Sequence, residues 1–209
     1  MTRHPDPTAF RGTEDFGGGL TRALVSEGIS YVYSTLDQLD ATLLGADSPR
    51  ITGLVELANL SSILGNLLAT GIVKAGSTVF HRAGPHKYQD LRAIDTNRHQ
   101  HIEIKVALEK NNPKGHLAKA GHYLVCRYVL GTSKGGYTIS ERGNVVWIWE
   151  VRFGYLAERH FNISNTAGDS GKTAVVNADG MTELKVVYFD KKFSPYTERS
   201  EYMKRMTGL

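Results

Sequence analysis

Residues 86–109 read His86-Lys-Tyr-Gln-Asp90-Leu-Arg-Ala-Ile-Asp95-Thr-Asn-Arg-His-Gln100-His-Ile-Glu-Ile-Lys105-Val-Ala-Leu-Glu109. The stretch predicts two strands, 90–94 and 101–108, joined by the polar turn 95–98. In the second strand Ile102, Ile104 and Val106 alternate with Glu103 and Lys105. A period of two buries the first set and puts Glu103 and Lys105 on the other face, about 7 Å apart along the strand. Asp90 opens the neighbouring strand, so hairpin pairing lets Asp90 and Glu103 converge. Two convergent carboxylates beside a lysine suit a hard divalent cation. Mg²⁺ takes one or two carboxylates and completes its shell with water and substrate phosphate oxygens. Such an ion polarises a phosphoryl group and acidifies water. The lysine can orient that water or stabilise charge that develops in the transition state. The same residues also fit a plain amphipathic hairpin, with Arg92 and Lys105 in cross-strand salt bridges to Asp90 and Glu103.

The arrangement resembles the PD-(D/E)xK nuclease superfamily, which includes many type II restriction endonucleases. Asp90 matches the first acid and Glu103-Ile104-Lys105 the (D/E)-x-K; the likeness spans roughly residues 50–130. Gln89 stands where the motif has proline. The resemblance implies a restriction-endonuclease-like core and Mg²⁺-dependent, sequence-specific hydrolysis of double-stranded DNA, with Mn²⁺ able to substitute. Asp90 and Glu103 would hold the metal, and Lys105 would position or activate the attacking water. The products would carry 5′-phosphate and 3′-hydroxyl ends. In many such nucleases a helix before the hairpin supplies one more acid, and by position Glu56 is the candidate. The small size and apolar N-terminal half suggest a homodimer, whose two-fold symmetry would match a palindromic target. A structure-specific repair or recombination nuclease, and a non-catalytic DNA-binding module on the same fold, are the alternatives.

Outward from the hairpin, Asp47-Ser48-Pro49 is a helix start. The helix is predicted to run to Thr70 and stop at Gly71. Residues 20–46 carry apolar side chains at spacings of three and four, which predicts one or two helices. Residues 1–19, with Pro5, Pro7 and Gly17-Gly18-Gly19, read as a mobile arm. A short strand is expected at 77–81, a short helical segment at 116–120, and strands at 122–130, 144–156 and 184–189. A terminal helix is expected within 191–209. This order predicts an α/β fold with a central mixed sheet flanked by helices. The chain reads as one domain: an N-terminal arm and helices (1–46), a catalytic core (47–130), and C-terminal strands with a DNA-recognition loop (131–209).

Lys110 and Lys114, in the loop after the hairpin, suit phosphate contacts. Arg152, His160, Asn162, Asn165, Ser170, Lys172 and Thr173 offer donors for phosphates and base edges. Gly171-Lys172-Thr173 resembles the end of a P-loop, but Thr166 stands where that loop needs glycine. His99, His101 and Glu103 alternate and could face one way, yet such neighbours are too far apart for three short metal ligands without bending. The net charge of +4 permits nucleic-acid binding. The single Cys126 excludes an internal disulfide and any multi-cysteine zinc site. With no long uncharged apolar run and no apolar leader, a cytoplasmic protein without a membrane partner is expected.

Overall fold

A computed structural model describes residues 3–84, 87–164 and 173–208. The N-terminal residues are docked, contrary to the expectation of a mobile arm. The Arg3 guanidinium lies over the rings of Tyr33 and Trp147, 4.6 and 4.9 Å from their centroids, and pairs with Asp37 at 2.7 Å. Aromatic faces and a carboxylate together hold an arginine that polar sequence alone leaves looking free. Next come β1 (Asp15–Gly17) and β2 (Leu20–Thr21), a tight hairpin. Gly17, Gly18 and Gly19 all have positive φ there, which glycine adopts without steric cost.

Thr21 caps α1 (Arg22–Gly45) by accepting the Leu24 N–H. The single helix expected next is broken in two, α2 (Ile51–Leu54) and α3 (Leu57–Ala75), with Val55 and Glu56 non-helical between them. Asp40, buried on α1, fixes the start of α2 by accepting the Ile51 N–H and pairing with Arg50 at 3.0 Å. Gly71 does not end α3. A Cβ at Gly71 would sit 2.5 Å from the Tyr31 Cβ and 2.9 Å from the Gly28 Cα, so this glycine lets α1 and α3 cross closely.

The remaining elements are β3 (Phe80–Arg82), β4 (Leu91–Ala93), β5 (Ile102–Leu108), β6 (Lys114–Gly115), β7 (Gly121–Gly131), β8 (Val145–Leu156), β9 (Phe161–Ser164), β10 (Thr173–Val176), α4 (Ala178–Glu183), β11 (Lys185–Phe189) and α5 (Glu201–Thr207). Six strands form the central sheet in the order β11-β8-β7-β5-β4-β3. Its pairs are antiparallel except β5 with β7, so the fold is α/β with a mixed central sheet flanked by helices. No helix forms at 116–120. The connection from β5 to β7 passes instead through β6, which pairs with β10, and β10 pairs with β9. The Val176 N–H donates to the Pro113 carbonyl and the Asn112 side chain to the Val176 carbonyl, so backbone groups that a helix would satisfy internally are taken up between segments.

One sheet face carries Ile102, Ile104, Leu124, Cys126, Tyr128 and Ile148 into the main core with α1 and α3. By length and composition α3 could cross a bilayer, but its buried side packs on α1 and β5. On the other face Tyr123, Val125 and Leu156 pack with Val176, Met181 and Leu184, and Val129, Trp149 and Phe189 pack with Phe193 and Met203. Beyond these covers His81 is exposed and Asp90 and Arg92 are half-buried.

Candidate active site

Leu91 pairs with Ile102 in the antiparallel β4–β5 ladder, so the register sets Asp90 opposite Glu103. Each acid is held by the backbone of the other's strand. The Ile104 N–H donates to Asp90 Oδ2 at 2.8 Å, and the Gln89 N–H donates to Glu103 Oε2 at 2.8 Å. The Lys105 ammonium donates to Glu103 Oε1 at 2.7 Å. Glu103 is only 9% exposed. Burial, and then the Glu103 charge, push the Asp90 carboxyl above the usual carboxylate range; the Ile104 N–H, Lys105 and Arg82 pull the other way.

Gln89 has φ 68°, a left-handed conformation that costs a non-glycine residue about 1–2 kcal/mol. The strained backbone aims its N–H at Glu103, and strain of this kind collects at functional sites. Proline cannot stand at Gln89, because it fixes φ near −65° and has no N–H to donate.

Several neighbours of the acids are not legible in the motif. Arg82 donates to the Asn66 carbonyl, the Asn66 side chain and the Thr70 hydroxyl on α3, and its charge acts on Asp90. Glu103 pairs with Tyr123 in the parallel β5–β7 ladder. The Tyr123 hydroxyl lies 3.2 Å from that of Tyr88 and donates to the Lys119 carbonyl at 2.7 Å. Gly115 on β6 leaves room for Lys105: a Cβ there would lie 3.3 Å from the lysine Cε and 3.4 Å from Nζ. Aligning the two long apolar runs in parallel would have found Tyr123; no spacing signal marks Arg82 or Gly115.

Other expected residues fall elsewhere. Glu56 is exposed at the N-terminus of α3 and does not join the acids. Helix α3 packs on the opposite sheet face, and its contact there with Val106 and Ile104 is at Gly65, nine residues and about 13 Å further along. Arg152, expected among the DNA contacts, is instead buried under the C-terminal helix. It is 4% exposed, pairs with Glu150 at 3.0 Å and donates to the Tyr202 hydroxyl. His160 is buried too, its Nδ1 accepting the Ala157 N–H. Lys110 is exposed over the Tyr196 ring, past the end of β5 and the left-handed Glu109. Lys114 and Asn162 are exposed and both pair with Val175, which puts them in one row of the small sheet; Thr173 begins β10. Asn165, Ser170 and Lys172, with nearly all of the P-loop-like stretch, lie outside the described residues. The His101 Nδ1 accepts the Ala93 N–H, and among the described residues no three His, Cys, Asp or Glu side chains gather as metal ligands. The ion pair that forms, Glu103–Lys105, lies within β5, and no cross-strand salt bridge of Arg92 or Lys105 to these acids occurs among the described residues. Neither a protein-family model nor a curated protein matches the chain.

Proposed function

We propose that the chain is a Mg²⁺-dependent endonuclease of double-stranded DNA with a restriction-endonuclease-like core. The observation that carries this reading is the mutual pinning of Asp90 and Glu103 across β4 and β5, with the Lys105 ammonium on Glu103. The chain order supports the core assignment: a helix, α3, leads into the antiparallel run β3–β4–β5, and β7 then runs parallel to β5.

The residues present fit a hard cation. Asp90 Oδ1 has no hydrogen bond among the described residues, and Glu103 oxygens retain lone pairs beside their donors. Two facing carboxylates meet one ammonium, and burial, then the Glu103 charge, hold the Asp90 carboxyl above its usual range. Asp90 and Glu103 would hold Mg²⁺, with Mn²⁺ as substitute; the ion would supply charge neutralisation at the scissile phosphate and acidify water there. The Gln89 and Ile104 N–H groups keep the two carboxylates aimed at one point. Lys105 orients the attacking water and offsets negative charge growing on the phosphoryl oxygens. A two-fold homodimer on a palindromic target, acting in the cytoplasm, belongs to the same proposal. The plain ion-pair alternative explains Lys105 on Glu103 but gives no role to the strained Gln89 or the raised Asp90.

The test is cleavage of phage-length duplex DNA with Mg²⁺ by the wild type, Glu103→Ala and Lys105→Ala. Discrete fragments from the wild type, lost in both variants, support the proposal. A wild type that leaves both duplex and branched DNA intact sinks it.

A further inference from the structure

A second row of side chains runs beside the acids. His81 pairs with Arg92 in the β3–β4 ladder, and the β4–β5 register sets Arg92 opposite His101. The acid row is Ala83, Asp90, Glu103 and Tyr123, joined by the Ala83 N–H to the Asp90 carbonyl and by the Glu103–Tyr123 pair. His81, Arg92 and His101 each stand two residues from a member of that row, so they share its face, about 7 Å away.

Three observations set this second row apart. Arg92 has no carboxylate partner among the described residues; its hydrogen bond goes to the Tyr88 carbonyl at 3.4 Å. His101 accepts the Ala93 N–H on Nδ1 at 2.9 Å, which leaves the proton on Nε2, on the opposite side of the ring from that backbone. His81 is exposed and completes the row. A guanidinium and two imidazoles thus offer donors that no acid among the described residues takes up.

We infer that His81, Arg92 and His101 form a phosphate-binding row that holds the sugar–phosphate backbone of duplex DNA next to the phosphate at Asp90 and Glu103. The identity of the ligand rests on the endonuclease reading. A planar guanidinium suits bidentate contact with phosphate oxygens. Contacts to phosphate and sugar make up most protein–DNA hydrogen bonds and fix register without reading sequence. The separation of the two rows is close to that of neighbouring phosphates on one strand.

The experiment is fluorescence anisotropy with a labelled duplex of about 20 base pairs, in EDTA, across a range of KCl concentrations. The proteins are the wild type, Arg92→Gln, Arg92→Lys and His81→Gln. Arg92→Gln is expected to weaken binding roughly three- to tenfold and to lower the log–log salt slope by about one. Arg92→Lys restores the slope, because it keeps the charge, but not the full affinity. His81→Gln weakens binding with little change in slope. Thermal unfolding midpoints stay at the wild-type value. An Arg92→Gln protein with unchanged affinity and slope overturns the row whether or not the wild type cuts DNA, and so does a wild type that fails to bind duplex. A wild type that binds with an Arg92-dependent slope yet never cleaves in Mg²⁺ keeps the row and sinks the endonuclease.

Discussion

Two charge clusters occupy the same face of the central sheet and are built on opposite terms. Around Glu150, two arginines meet one carboxylate. Arg127 donates to Oε2, while Arg152 and the Tyr202 hydroxyl reach Oε1. Glu150 is 0% and Arg127 2% exposed, and the Arg127 guanidinium lies 4.4 Å from the Trp149 ring centroid. A register shift between β7 and β8 makes Trp149 the extra residue, which turns it under Arg127. Around Glu103, two carboxylates meet one ammonium in a half-open setting, with strained backbone at Gln89. The first cluster is closed by its own chain. The second leaves Asp90 Oδ1 without a hydrogen bond among the described residues and stays partly open to solvent.

The largest expected effect tests the closed cluster. Glu150→Ala leaves two buried guanidinium groups uncompensated and should cost about 3–5 kcal/mol, read as a lower urea midpoint. A loss below about 1 kcal/mol would break the contrast. Lys105→Ala should do the reverse. Single-turnover cleavage should fall at least about a hundredfold, while stability moves by less than about 1 kcal/mol, since the pair is partly solvated.

Asp90→Asn should abolish cleavage and raise stability at neutral pH. The folded chain binds the Asp90 proton more tightly than the unfolded chain does, because its carboxyl is pushed up by burial and by Glu103. Its charge therefore opposes folding, and stability falls as pH rises from the ordinary aspartate range through the raised value. Urea unfolding of both proteins between about pH 4 and 7 should show the gap widening with pH. The smallest effect belongs to Gly115→Ala. The new methyl crowds the Lys105 ammonium and should slow cleavage by about tenfold or less, with an unchanged urea midpoint.

Much of this arrangement was legible in the sequence where it depends on local pattern. The alternation in 101–108 gives β5 and places Glu103 with Lys105, and the long apolar runs give β7 and β8. Contacts between distant segments were not legible. Gly71 reads as a helix stop until α1 is laid against it, and Asp40, not the local sequence alone, fixes where α2 begins. Arg152 looks like a surface cation in a β run until Glu150 is seen to face it and Tyr202 to close over it. The expected helix at 116–120 fails because the connection pairs with β10, more than fifty residues away in sequence. Glu56 qualifies only by its order in the chain, and order does not say which face of the sheet a helix covers.

The docked N-terminal segment also settles how the sheet ends. Phe10 bridges Tyr188 and the Arg11 N–H donates to the Val187 carbonyl, so the outer edge of β11 already has a backbone partner. At the opposite edge β3 is only three residues long. A sheet blocked on one side and cut short on the other gives little purchase to an added strand. Trimming residues 1–12 should therefore uncover the outer edge of β11 and promote edge-to-edge aggregation, read as light scattering of the truncated chain.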